Sequence, residues 1–269
     1  MRYIAFLQKN FRCYTIVMKK IPFPLRKCGK LLWYVLLVLV AINLLAAFSM
    51  MSADVYKEKL WLHRTNSLEK LHEKEADFTN FEVDLVFRDS VFDVTHDADT
   101  TFHLSLESYM PHIRRYHCRV WLDIKNLNPQ NADCALFCLD SLVAKYRVDK
   151  SQFIVETRNI SALSRFTEDG FYTSYYVDFP KPSALDEAAV DTCIAHLRRV
   201  ADSGKVCALS FPGWWYKPIH SKLHRHIDLL TWKHRTSRFG IYATLEGRAM
   251  LFDPQLKVIL VKSKGKYHR

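Results

Sequence analysis

Short apolar runs of strand length recur along the chain at Lys59–Arg64, Phe81–Phe87, Arg119–Lys125, Phe153–Thr157, Phe171–Val177, Val206–Phe211, Ile227–Lys233 and Val258–Val261. Between them lie stretches patterned for helices: Ser67–Ala76, Ser105–Tyr116, Asn131–Tyr146, Ser161–Glu168, Ser183–Asp202, Ile219–His226 and part of Arg238–Ala249. Ala135, Leu136, Leu139, Leu142 and Val143 repeat with the 3.6-residue period of a core-facing helix. Ser67 and Ser105 each precede a helical stretch as N-cap candidates. The third, fourth and sixth strands are apolar on both faces for part of their length, as strands covered by helices must be. Eight strands alternating with helices predict a (β/α)8 barrel, and roughly 200 residues is the low end for that fold. Val91–Val94 is expected to form a small hairpin after the second strand rather than a stave of the barrel.

One run does not fit a barrel. Leu31–Met51 is apolar except for Asn43 and Ser49, long enough to cross a bilayer as a helix. Arg2, Lys9, Arg12, Lys19, Lys20, Arg26, Lys27 and Lys30 precede it with no acidic residue. The positive-inside rule then keeps the N-terminus cytoplasmic and puts the rest outside, at the periplasmic or cell-surface side. A long signal peptide is the alternative, although this apolar core exceeds the usual length of roughly 7–15 residues. The expected organisation is a basic segment over 1–30, an anchor over 31–51, a linker over 52–59 and a barrel domain over 60–269.

Composition adds little beyond this. With 49% hydrophobic and 25% charged residues, the chain suits one globular domain plus an extra segment. The formal charge of +11 is concentrated in the first 30 residues, whose eight basic side chains account for most of it. The basic balance therefore reports topology, and with no RNA-binding signature nucleic acid is excluded as a partner. Five cysteines, at 118, 134, 138, 193 and 207, follow the anchor, an odd number that fixes no disulfide pattern. Gly213-Trp214-Trp215-Tyr216 and Trp232 cluster around the sixth and seventh strands, either as buried packing or as aromatics at a pocket mouth or lipid surface.

The chemistry falls at the strand ends, where such barrels carry their sites. His63 and Arg64 end the first strand, Glu82 and Asp84 lie on the second, and His96-Asp97 follows its hairpin. Asp123 and Lys125 end the third strand, and Glu156 and Arg158 the fourth. Spacing of two puts each pair on one strand face. Neighbouring carboxylates repel unless a positive charge lies between them, and a divalent cation is an economical one. Histidines beside such a pair suggest proton transfer next to a metal. His103, His112 and His117, with His220, His224, His226 and His234, read as surface or loop residues with no metal-ligand set among them.

His63-Arg64, Glu82-x-Asp84, His96-Asp97 and Leu122-Asp123-Ile124-Lys125 resemble the motifs of the glycerophosphodiester phosphodiesterase family, and more broadly the phospholipase-C-like phosphodiesterase superfamily of TIM barrels. The resemblance covers Trp61–Asn126. It implies a divalent cation, Ca2+ or Mg2+, held by Glu82, Asp84 and Asp123, with His63 and His96 as general base and acid. Arg64 and Lys125 would hold the phosphate, and Glu156 is a further ligand or an organiser of the phosphate site. A neighbouring substrate hydroxyl would attack phosphorus, giving a cyclic phosphate that is then hydrolysed.

The sequence departs from the family in three places. Thr65 stands where glycine usually follows His-Arg, Asp123 where glutamate is more frequent, and only a short stretch separates His96 from Asp123 where the family inserts a small subdomain. The expected function is metal-dependent phosphoric diester hydrolysis on a glycerophosphodiester or lipid-head-group-like substrate. The alternatives are a lyase that stops at the cyclic phosphate and a non-catalytic envelope barrel whose carboxylates pair with Arg64 and Lys125.

Overall fold

The structure is a computed structural model that describes residues 23–233 and 235–264, with only the backbone of 23–29. The first 22 residues of the expected basic segment, His234 and the last five residues lie outside the described residues. The chain divides into two units, Met1–Ala53 and Asp54–Arg269. In the first, helix α1 runs over Phe23–Ser52. Its part Lys30–Ser52 has a mean hydropathy of 2.6, long and apolar enough by length and composition to cross a membrane. The helix starts upstream of Leu31 because a proline is tolerated in a first turn and the following basic residues are good helix formers.

In the second unit the elements follow one another as β1 (Leu60–Leu62), α2 (Leu68–Lys74), β2 (Phe81–Arg88), β3 (Val91–Val94), α3 (Met110–Tyr116), β4 (Val120–Ile124), α4 (Ala132–Tyr146) and β5 (Phe153–Thr157). They continue as α5 (Ile160–Glu168), β6 (Tyr172–Tyr176), α6 (Glu187–Asp202), β7 (Ala208–Pro212), α7 (Tyr216–Lys222), β8 (Asp228–Trp232), α8 (Arg238–Ala243), α9 (Leu245–Phe252) and β9 (Leu256–Val261). Strand order β1-β9-β8-β7-β6-β5-β4-β2, closed by a β1–β2 pairing, makes a parallel barrel. This is the expected (β/α)8 fold. β3 pairs antiparallel with β2 outside the ring, as the hairpin expected there.

Alternation along each strand sends one set of side chains into the lumen. Trp61, Trp121, Ile154, Ala208, Leu230, Trp232, Val258 and Leu260 pack there, with Tyr172 and Tyr176 against them. Aromatic bulk fills a short-staved barrel that small aliphatic side chains would leave porous. In register, Asp84 lies beside Asp123 and Asp123 beside Glu156, so the second, third and fourth staves contribute their acids at one level.

Several helical stretches differ from the sequence pattern: the one expected over Ile219–His226 is Tyr216–Lys222, and Ser183–Asp202 has a 3-10 turn over Pro182–Ala184 before the helix starts at Glu187. Ser105–Tyr116 begins as a 3-10 turn over Leu106–Tyr109 before α3, with Pro111 at the helix start. Arg238–Ala249 is two helices, because Thr244 leaves helical geometry and its side chain caps α9 by accepting from the Gly247 N–H. Gly247 is required by close approach: a Cβ there would lie 2.2 Å from the Ile241 carbonyl oxygen. Gly247→Ala is expected to cost roughly 1–3 kcal/mol in a denaturant titration, since backbone cannot yield as a flexible side chain does.

Candidate active site

The turn after β1 organises the site. Its residues His63 to Ser67 leave the sheet, and Arg64 sits in the left-handed region at φ 54°, a conformation that costs a non-glycine residue about 1–2 kcal/mol. Three contacts hold it. The Arg64 N–H donates to Glu82 Oε2 at 2.5 Å, and the Thr65 N–H donates to the Glu82 carbonyl at 2.8 Å. Lys70, 1% exposed on α2, donates from Nζ to the His63 and Arg64 carbonyls at 2.8 and 2.7 Å. Burial lowers its pKa to about 8, with Glu82 opposing. Thr65 is fully buried and accepts through its carbonyl from Tyr109 Oη at 2.8 Å. The strained position is therefore Arg64, and Thr65 has no left-handed backbone that would call for glycine.

Lys70 and Tyr109 are not marked by the strand-end pattern, because each acts on the turn from a neighbouring helical segment. Lys70→Met keeps the length of the side chain but leaves two inward carbonyls without a donor. We expect a loss of roughly 2–3 kcal/mol in chemical denaturation, with His63 and Arg64 released from their fixed positions.

Around this turn the acids converge. One carboxylate oxygen each from Glu82, Asp84 and Asp123 lies within 4.8 Å of the others. Asn66 fixes Asp84 twice: Nδ2 donates to Asp84 Oδ2 at 2.8 Å, and Oδ1 accepts from the Asp84 N–H at 3.0 Å. Lys125 Nζ lies 2.6 Å from Asp84 Oδ1 and also donates to Asp123 Oδ2. Burial and the Asp84 and Asp123 charges push the Glu82 carboxyl well above its usual range. Asp123 is raised too, chiefly by burial. Burial also acts on Asp84, but Lys125, Asn66 and Arg64 outweigh it and hold that carboxyl low. Burial and mutual repulsion thus work against full ionisation of the three acids, and a cation bound among them would relieve both.

The two imidazoles occupy different surroundings. His63 Nε2 is 3.9 Å from Glu82 Oε2, and Nδ1 is buried with no hydrogen-bond partner. Burial is the largest cause that lowers its pKa, to about 3. His96 is more exposed. Its Nε2 accepts from the Arg64 guanidinium at 2.8 Å, which places the proton on Nδ1, 2.7 Å from Asp97 Oδ1. Arg64 Nε also approaches Asp84 Oδ2 at 3.7 Å.

His63, Arg64, Glu82, Asp84, His96, Asp123, Lys125 and Glu156 all line one cavity of about 150 Å3 at the strand ends. A neighbouring cavity of about 260 Å3 shares His96, Asp123, Lys125 and Tyr176 and adds Arg158. Glu156 lies outside the three-acid cluster; its Oε2 is buried without a hydrogen-bond partner, and burial raises its pKa strongly. Lys262, one residue past β9, lines the cavity as well. Its position at a strand end is the same signal that marks Lys125, one residue past β4. The clustered aromatics divide: Trp215 is buried and donates to the Pro180 carbonyl, whereas Trp232 stacks on Tyr176 at the cavity wall with ring centroids 4.9 Å apart.

Neither the known family models nor the curated proteins contain a match to the sequence. Solved structures do resemble it. A glycerophosphodiester phosphodiesterase from Parabacteroides distasonis ATCC 8503 superposes with a TM-score of 0.53 at 13% identity, over 76% of this chain and 93% of the other. A proposed glycerophosphoryl diester phosphodiesterase from Silicibacter pomeroyi DSS-3 gives 0.53 at 13% identity, over 76% and 89%. A phosphodiesterase from Oleispira antarctica, solved with the product sn-glycerol-3-phosphate, gives 0.50 at 11% identity, over 76% and 92%. At such identities the likeness establishes a shared barrel fold, and the chemistry must be argued from the side chains.

Proposed function

We propose that this protein is a metal-dependent phosphoric diester hydrolase acting on a glycerophosphodiester or a related lipid-head-group phosphodiester. The observation that carries the reading is the convergence of Glu82, Asp84 and Asp123 within 4.8 Å, in a cavity also lined by two imidazoles, Arg64 and Lys125. An all-oxygen, carboxylate-rich donor set suits a hard divalent cation, Ca2+ or Mg2+. Bound there, such an ion would offset charge on the phosphoryl oxygens.

The remaining work falls to side chains. Arg64, whose guanidinium spans the gap between Asp84 and His96, and Lys125 would grip the phosphate and neutralise the charge developing on it. His63, buried and neutral, would take the proton from the attacking hydroxyl of the substrate. His96, its Nδ1–H held by Asp97, would take up a second proton on Nε2 once Arg64 turns to the phosphate, and would deliver that proton to the leaving oxygen. With water as the second nucleophile the two roles reverse, which opens a cyclic phosphate. A lyase would stop before that step. Glu156, a buried acid beside Asp123 in register, would organise the floor of the phosphate site. We further propose that α1 anchors the chain, with the N-terminus cytoplasmic and the barrel outside, which would give the site access to lipid-derived substrates.

A second reading takes Lys125, which already bridges Asp84 and Asp123, as the permanent counter-charge in a barrel that binds without catalysis. Assay of the full chain in detergent decides between them. Bis-(p-nitrophenyl) phosphate and glycerophosphodiesters are tested with and without EDTA. Hydrolysis that EDTA stops and Ca2+ or Mg2+ restores supports the enzyme; no turnover under any metal supports the binding barrel. Product analysis for a cyclic phosphate separates hydrolase from lyase.

A further inference from the structure

A second group of metal-ligating side chains lies away from the cavity, and the pattern of the sequence does not reveal it. His72, in the last turn of α2, and Glu75, just after it, face His112 on α3. His72 Nδ1 is 3.5 Å and His112 Nδ1 3.7 Å from Glu75 Oε2, and the three donor atoms lie within 4.8 Å of one another. The His112 ring also packs against Phe81, the first residue of β2, with ring centroids 6.2 Å apart. Phe81 and Glu82 are consecutive in β2 and so point to opposite faces of the strand, which puts this group on the helix-covered outer side of the barrel and the carboxylate cluster on the inner side. The sequence marks His112 only as a surface or loop residue; the structure makes it one corner of a three-residue set with His72 and Glu75. The sequence concealed it because its partners come from a helix about 40 residues earlier.

We propose that His72, Glu75 and His112 form a zinc site that clamps α2 to α3. Two imidazole nitrogens and one carboxylate oxygen are the donors a borderline cation selects, in contrast to the all-oxygen cluster at the barrel mouth. Bonds of 2.0–2.1 Å to a tetrahedral ion set donors about 3.3 Å apart. Two of the three separations are already within a few tenths of an ångström of that value. The ring of His112 packs against both Phe81 and Tyr116, the latter at 4.5 Å between centroids, which restricts the positions its donor can take. The set opens on a surface cleft of about 370 Å3 that Arg115 and Tyr116 also line, which leaves room for water or an anion as fourth ligand. α2 carries Lys70, and α3 continues directly from Tyr109; both residues hold the turn at His63–Thr65. The clamp would thus fasten together the two segments that support that turn, His72 two residues from Lys70 and His112 three from Tyr109.

The test uses the full chain in detergent, titrated with Zn2+ against a chromophoric chelator, and with Co2+ followed by visible absorption. Glu82→Gln isolates this site from the barrel mouth. In that variant we expect one Zn2+ per chain, a thermal midpoint several degrees higher with Zn2+ than without, and the strong visible bands of four-coordinate Co2+. His72→Ala and Glu75→Gln, added singly to Glu82→Gln, should weaken Zn2+ binding more than about 100-fold, beyond the 10–100-fold cost of losing an outer partner, and should abolish the bands. His72 is 61% exposed, so its replacement leaves the packing intact. Failure of Glu82→Gln to bind Zn2+, or binding that survives both ligand replacements, overturns the site. Neither outcome bears on phosphodiester hydrolysis, which is measured separately.

Discussion

Glu82→Gln and Asp123→Asn are each expected to remove divalent-cation binding at the barrel mouth and to lower phosphodiester turnover roughly 1,000-fold, the several kcal/mol that a bound cation supplies. The two should differ from damaged proteins in a measurable way. Burial and the Asp84 and Asp123 charges already favour the protonated form of Glu82. Its amide replacement therefore leaves metal-free stability within about 1 kcal/mol of the parent. Calorimetric titration with Ca2+ and Mg2+, beside denaturation without metal, reads both quantities. Turnover and cation affinity that survive in both variants would sink the assignment of these carboxylates. Loss of stability in parallel with activity would mean that the residues hold the barrel together instead.

His63→Ala and His96→Ala should each cost about 100- to 10,000-fold in turnover, the usual contribution of a positioned acid or base. His63 should also show itself in the pH dependence. A folded-state pKa of about 3 for His63, set mainly by burial, keeps this imidazole neutral throughout the neutral range. The acid limb of kcat/KM should therefore lie well below the reference imidazole value of about 6.5. Linkage fixes the sign for stability. Between about 6.5 and 3 the unfolded chain takes up a proton at His63 that the folded chain refuses, so stability falls as pH falls through that window. His63→Ala should accordingly lose less stability than the parent between pH 7 and pH 4.5. Equal pH dependence in parent and His63→Ala would refute the buried, neutral assignment.

The proposed zinc clamp and the proposed cation site at the barrel mouth differ in donor chemistry and lie on opposite faces of β2. Lys70 and Tyr109 link them structurally, because both reach the His63–Thr65 turn from elements that flank the clamp. Lys70→Met therefore offers a way to loosen the turn while leaving every proposed ligand in place.

Much of this was legible in the sequence. The eight strand-length runs and the helices between them specify a barrel because each strand must be apolar on the faces that meet the lumen and the helical layer. The period-two placement of Glu82 and Asp84, and of Asp123 and Lys125, puts each pair on one strand face without any knowledge of neighbouring strands. The apolar run after eight basic residues announces a membrane-length helix in the same local way. What sequence could not decide is register and reach. Only the pairing of β2 with β4 places Asp84 beside Asp123, and only the left-handed turn at Arg64 brings its amide to Glu82 and its guanidinium to His96. Glu156 shares that register yet stays out of the acid cluster, a distinction of side-chain reach within one layer. His112, Lys70 and Tyr109 acquire their significance from contacts between elements far apart in the chain. Local periodicity determines which face a side chain occupies; the closure of the barrel determines which other side chain it meets.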